Sequence, residues 1–354
     1  MILKEELLHD IKITPIIESL RLQKISDDIY FSEKYSNYIS NSRLGLINPE
    51  QDNDPQAFFE GLSKHSKYSD ALIFGSSVHE LILQPDLFYL CEEVDRPTSK
   101  AGFMADELYN QFKGENPTEE AIIAASDKID YYKGKMNEKR ITELREKCNN
   151  YWITRAEYEK KYSSSAIPIY LDAKSRDRVK CCIEALNKNK KIQELLYPSG
   201  FLEEPVSENE LAILLDVKIE IPTIDPFILR LKAKLDNFTI DKESNTITVN
   251  DVKTIGKILS YFNENFEKFH YYRELAIYSW LLSLCAKKFY GMDECTVKSN
   301  CLIVSTIPDF YTKVYEVTKK DLIKGWNEFK KLLILVASYV ATEYKDFGIW
   351  NIPN

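Results

Sequence analysis

The sequence predicts an α/β protein with large helical additions, on three observations. After Gly200 the apolar pattern switches to period two, the spacing of half-buried strands. From about residue 101 to 198 the chain is instead charged and helix-like. A long helical pattern, roughly Glu264 to Lys287, then separates those strands from two further strand candidates.

A chain of 354 residues suffices for one large domain or two ordinary ones. With 44% hydrophobic and 29% charged residues it has the balance of a soluble globular protein. The opening MILKEELLHD lacks an apolar core segment, so no secretory signal is expected there. The longest apolar run, Leu332 to Ala341, is half a membrane span and reads as a buried helix. Seven cysteines without a C-x-x-C pair predict reduced thiols in the cytoplasm. Cys285, Cys295 and Cys301 are spaced too widely to suggest an iron–sulfur cluster and read as small buried residues.

A net charge of −8 speaks mildly against a nucleic-acid partner. Distribution qualifies this: Lys174 to Lys191 carries seven cations against two acids. A basic binding surface and a solvated helix face explain that cluster equally well.

Taken in order, residues 1 to 70 read as polar and irregular with short helices. "DALIFGSSVHELILQPDLF" reads as a buried helix entered at Gly75–Ser77, capped by Ser76 or Ser77, and stopped before Pro85. "NPTEEAIIAASDKI" marks a further helix start, and breaks are expected near Ser163–Ser165 and Pro198–Gly200. "ELAILLDVKIEI" is a strand candidate. In "FILRLKAKLDNFTI", Leu229, Leu231, Ala233 and Leu235 share one face, and Arg230, Lys232, Lys234 and Asp236 the other. "DKESN" turns the chain into "TITVNDVKT", which makes an antiparallel meander. "SNCLIVSTI" and "YTKVYEV" follow the long helix, and a terminal helix runs from about Lys319 to Tyr344. The expected division is an N-terminal helical part (1–100), a helical insertion (101–200) and a core (201–354), packed as one compact body.

The chemistry concentrates in "VNDVKTIGK". Asp251 and Lys253 point one way along the strand and Val252 the other. Alone, this could be a surface ion pair of little worth. Asp236 ends the polar face of the preceding strand, so suitable register would join two carboxylates to one lysine. That set suits metal-assisted phosphodiester hydrolysis, because oxygen ligands favour Mg2+ or Mn2+ and the metal acidifies a bound water. His79-Glu80 has Leu83 where a zincin needs its second histidine, and "IGK" lacks the earlier glycine of a P-loop.

Four segments, in order, resemble the PD-(D/E)XK nucleases, in particular the exonuclease VIII (RecE-like) and RecB-type branch of phages and prophages. "GSSVHEL" is similar to the family's histidine helix, and "LKAKLD" to its basic-x-Asp strand. "DVKT" is similar to its Asp-x-Lys-Thr, and "YYRELAIYSWLL" to its Q-x-x-x-Y helix. The resemblance spans Gly75 to Leu282 and extends to "LQPDLF" after the histidine. It implies a restriction-endonuclease-like core, a mixed sheet flanked by helices, behind a large helical N-terminal part. It further implies His79, Asp236, Asp251 and the Val252 carbonyl as metal ligands, Lys253 as the catalytic lysine, and Tyr278 as the motif tyrosine. Glu274 departs, standing where the family usually has glutamine. Arg230, Lys232 and Lys234, on the face of Asp236, are expected to meet a DNA phosphate.

The implied activity is a Mg2+-dependent exonuclease on linear double-stranded DNA, acting 5′ to 3′ in phage-type recombination inside a bacterial host cell. The implied partners are DNA ends, a single-strand annealing protein and further copies of the chain in a ring, with no membrane. An endonuclease or repair nuclease on the same residues is the enzymatic alternative. A catalytically inactive DNA-binding protein on the same fold is the other.

Overall fold

The computed structural model describes residues 11–51, 58, 69–162, 165–198, 206–222 and 224–342. The first elements among the described residues are strands β1 (Lys12–Pro15) and β2 (Arg21–Lys24) and the short helices α1 (Asp27–Tyr30) and α2 (Asn41–Gly45). Next come helix α3 (Asp70–Leu83), strand β3 (Phe88–Leu90) and helices α4 (Ser99–Phe112), α5 (Glu119–Ile129) and α6 (Glu138–Lys161). Strand β4 (Ile167–Ile169) and helices α7 (Ala173–Lys188) and α8 (Lys190–Leu196) lead to β5 (Val206–Ile221), β6 (Ile224–Asp241) and β7 (Thr246–Ile255). Helices α9 (Phe262–Lys268) and α10 (Tyr271–Tyr290), strands β8 (Thr296–Ser305) and β9 (Thr312–Glu316), and helix α11 (Lys319–Thr342) complete it.

Two compact units divide these elements. The first takes residues 1–65, 189–305 and 311–354, and the second 66–188 and 306–310. The sequence pattern instead places its limits at residues 100 and 200.

The first unit is a mixed sheet flanked by helices, with strand order β1-β5-β6-β7-β8-β9 and β2 also on β5. Among the described residues, the pairings between its strands are antiparallel except β7 with β8, which run parallel across the connection through α9 and α10. The alternation in β6 sets its orientation: Leu229, Leu231, Ala233 and Leu235 are all buried. Burying a leucine contributes about 1.5–3 kcal/mol, and a one-residue slip would exchange these side chains for cations. β8 is apolar on both faces, as a parallel-paired inner strand must be, with Cys301 to Val304 fully buried. α10 packs against β7 and β8, and α11 against α10. Gly325 permits that last contact, because a Cβ there would lie 2.1 Å from the Tyr272 carbonyl oxygen.

The second unit is helical around a two-stranded parallel pair, β3 with β4. Phe103, Met104, Leu108, Leu144, Tyr151 and Trp152 centre its core on α4 and α6. Thr118 caps α5 by accepting from the Ala121 N–H at 3.2 Å, as the sequence suggests.

Three local expectations are corrected. Residues 11–51 contribute two strands to the sheet as well as short helices; at four residues each, β1 and β2 are too short to show a period. α3 begins at Asp70 rather than at Gly75–Ser77, because Ser77 lies inside it and donates back to the Ile73 carbonyl at 2.8 Å. The helix expected from Glu264 to Lys287 is two helices, α9 and α10, broken at His270, whose φ is +54°. Histidine is among the residue types that tolerate this left-handed conformation. The expected break at Ser163–Ser165, the Gly200 end of the break at Pro198–Gly200, and the end of the terminal helix beyond 342 lie wholly or partly outside the described residues.

Candidate active site

The site is built on the meander β5–β6–β7 of the first unit. The last regular rung between β6 and β7 pairs Asn237 with Asn250. One residue further on, Asp236 and Asp251 stand across from each other where regular pairing has stopped. A side-chain bond replaces the ladder there: the Val252 N–H donates to Asp236 Oδ2 at 2.8 Å. On the other side of β6, regular pairing likewise skips the position where Glu210 faces Asp236. Glu210 has φ +58°, a conformation a glutamate holds only when its surroundings impose it. The Glu210 and Asp236 side chains offer carboxylate oxygens within 4.8 Å of each other. Three neighbouring strands thus supply carboxylates at one level.

Lys253 serves this group from the same face of β7. Its Nζ lies 2.8 Å from Asp251 Oδ2 and 3.2 Å from Glu274 Oε2. Tyr271 closes over the ammonium with its ring centroid 4.7 Å away. Tyr278 donates to Glu274 Oε1 at 3.1 Å. Tyr271, Glu274 and Tyr278 therefore share one face of α10, as their i, i+3 and i+7 spacing predicts. Burial strongly opposes the charge on Lys253, but Asp251, Glu274 and Asp236 outweigh it and hold the lysine protonated. Burial, reinforced by Glu274 and Asp236, pushes the Asp251 carboxyl well above its usual range despite Lys253. Burial and Glu274 likewise push Tyr278 up, which keeps it a hydrogen-bond donor.

Asp251 Oδ2 is buried against the Lys253 ammonium. Glu210 and Asp236 offer carboxylate oxygens close enough to share a hard divalent cation such as Mg2+ or Mn2+, and Asp251 stands across from Asp236. When bound, such an ion would acidify a water and neutralise phosphate charge.

Glu210 was missed in the sequence. It opens the strand candidate "ELAILLDVKIEI", and only the β5–β6 register reveals that it faces Asp236. On the basic face of β6, Lys232 departs from the expectation. Lys232 is buried and donates to the carbonyls of Tyr30 at 2.8 Å and Tyr35 at 3.1 Å, so it presents no surface to a phosphate. Lys234 pairs with Glu210 at 2.7 Å and with Asp27. Arg230 lies 3.9 Å from Asp216. The basic stretch of α7 is engaged in a similar way, with Arg176 on Asp95, Lys180 on Glu92 and Lys188 on Glu184. His79 lies in the second unit, midway along α3 and half-buried.

No family model matches this chain, and no curated protein matches it either. Among solved structures it is similar to one from Eubacterium rectale named "Putative exonuclease", at 10% sequence identity and a TM-score of 0.46, covering 91% of this chain and 88% of that one. The functional reading therefore stands on the site's own geometry. Among the described residues, no helix is long and apolar enough to cross a membrane.

Proposed function

We propose that this chain is a divalent-metal-dependent nuclease of the PD-(D/E)XK type that hydrolyses phosphodiester bonds of DNA. The observation that carries the reading is the level formed by Glu210, Asp236 and Asp251 with Lys253 beside it. Asp236 and Asp251, with the Val252 carbonyl, would hold Mg2+ or Mn2+. The Lys253 ammonium, anchored by Asp251 and Glu274, lies where it can orient a water or bind a phosphate oxygen. Glu274 holds Lys253 in place, and Tyr278 orients Glu274.

The finer reading follows the sequence resemblance: an exonuclease on linear duplex, 5′ to 3′, working as a ring with a single-strand annealing protein in phage-type recombination. His79 keeps the ligand role that the resemblance implies. The test incubates the protein with end-labelled linear DNA and closed circular DNA, with Mg2+ or with EDTA. Release of labelled nucleotides from linear DNA alone, dependent on Mg2+, is expected. Cutting of the circle would favour the endonuclease, and binding of DNA without cleavage in Mg2+ would refute the enzymatic reading.

A further inference from the structure

On the sheet face opposite the carboxylates lies a row of four asparagines, one from each of β5 to β8. Asn300 Nδ2 donates to Asn250 Oδ1 at 2.9 Å, and Asn250 Nδ2 to Asn237 Oδ1 at 2.7 Å. Asn237 Nδ2 donates in turn to Asn209 Oδ1 at 2.7 Å. The backbones are in matching register, with Asn209 opposite Asn237, Asn237 opposite Asn250, and Asn250 opposite Asn300. Asn237 and Asn250 are completely buried, and Asn300 nearly so.

The row also fixes α8. The last carbonyls of a helix have no partner within it. Here Asn250 donates to the Leu195 carbonyl at 3.1 Å, and Ser207 to that of Leu196 at 2.9 Å. Asn237 reaches the Leu196 carbonyl at 3.4 Å and Ser207 Oγ at 3.0 Å.

Three of the four members directly precede or follow a residue of the site. Asn237 follows Asp236, Asn250 precedes Asp251, and Asn209 precedes Glu210. The row is the last rung before β6 and β7 part around the carboxylates. Four amides that satisfy one another in a single order can close only in one register, whereas leucines in their place would tolerate a slip.

We infer that Asn209, Asn237, Asn250 and Asn300 are positioning residues that set the spacing of Glu210, Asp236 and Asp251. The inference rests on the nuclease reading for its consequence in metal binding, but not for its consequence in geometry. Two measurements separate the two. Mn2+ affinity by calorimetry reads the metal site. Amide exchange of Val252, whose N–H is held by Asp236, reads the geometry without metal.

The test replaces Asn237, Asn250 and Asn300 together by leucine, which removes the bonds between them in step while the Leu195 carbonyl loses the Asn250 donor, so some loss of stability is expected. A Thr239→Val/Thr248→Val control changes a rung of the same hairpin two residues further from the site. The row variant should lose about 10- to 100-fold in Mn2+ affinity, the range for residues that orient metal ligands. Its Val252 amide should exchange about tenfold faster, while the control matches the wild type in both. Should the triple variant fail to fold, Asn300→Leu removes only the outermost donor and should show the same two changes on a smaller scale. A lowered Tm with wild-type affinity and wild-type Val252 exchange would overturn the inference and make the row purely structural. A wild type that binds no Mn2+ would refute the nuclease reading alone, since Val252 exchange still decides the positioning role.

Discussion

Replacing Asp251 by asparagine should make the protein more stable and inactive. Asp251 is fully buried between Glu274 and Asp236, and burial with these neighbours raises its proton affinity against the pull of Lys253. Each tenfold rise in proton affinity costs about 1.4 kcal/mol once the unfolded carboxyl is ionised. Asparagine keeps the volume and removes that cost, although Lys253 then retains only Glu274 at 3.2 Å among its close carboxylates. A net gain of about 1–3 kcal/mol in EDTA is expected, at roughly 2–4 °C in Tm per kcal/mol for a unit of this size. The sign with pH follows from a raised acid. Below the ordinary carboxylate range both states are protonated and the two proteins should match. The wild type then falls behind as pH rises towards the displaced value of Asp251 and stays behind above it. Metal reverses the order: a cation at 100 times its Kd adds about 2.7 kcal/mol to the wild type and nothing to the variant. Calorimetric melts at several pH values, in EDTA and in Mg2+, test this. A variant less stable than wild type in EDTA, or one that Mg2+ stabilises equally, refutes the placing of Asp251 in the metal site.

Lys253→Ala should bind Mn2+ normally in calorimetry yet lose turnover, whereas His79→Ala should weaken Mn2+ binding itself; normal binding and normal cleavage by the histidine variant would remove it from the ligand set. Glu274→Gln should stay folded and active with an altered metal optimum, read from rates across Mg2+ and Mn2+ titrations; complete loss of cleavage would give the carboxylate its own catalytic task. Lys232 has burial, and then Arg43, pushing its pKa down to about 8. Its burial cost is therefore complete below pH 8 and relieved as pH rises towards the ordinary lysine value. Denaturant melts should show wild-type stability climbing over that window relative to Lys232→Met, and parallel curves would contradict the assignment.

The meander was legible because β6 spells its faces in strict alternation and "DKESN" marks its turn. The same alternation placed Asp251 and Lys253 together, and helical spacing placed Tyr271, Glu274 and Tyr278 on one face. What escaped depends on pairing between distant segments. Glu210 and the four asparagines look ordinary until β5, β6, β7 and β8 are laid side by side. Lys232 was misplaced because period two tells which face a residue takes, and not what covers that face. Here the chain around Tyr30 and Tyr35 covers it. The break at His270 has neither glycine nor proline to announce it.

The order of the strands bears on how the site comes into being. Glu210, Asp236 and Asp251 all belong to consecutive hairpins, the kind of contact a chain closes early because its loops are short. Glu274 arrives only after the chain has left β7, passed through α9 and laid α10 against the sheet. The parallel pairing of β7 with β8 must wait for that same crossover. A folding chain therefore gathers its negative charge before the clamp on its neutralising lysine is complete. In the half-built meander Lys234 and Lys253 already face Glu210 and Asp251, so what α10 adds is the second carboxylate that fixes Lys253 in place.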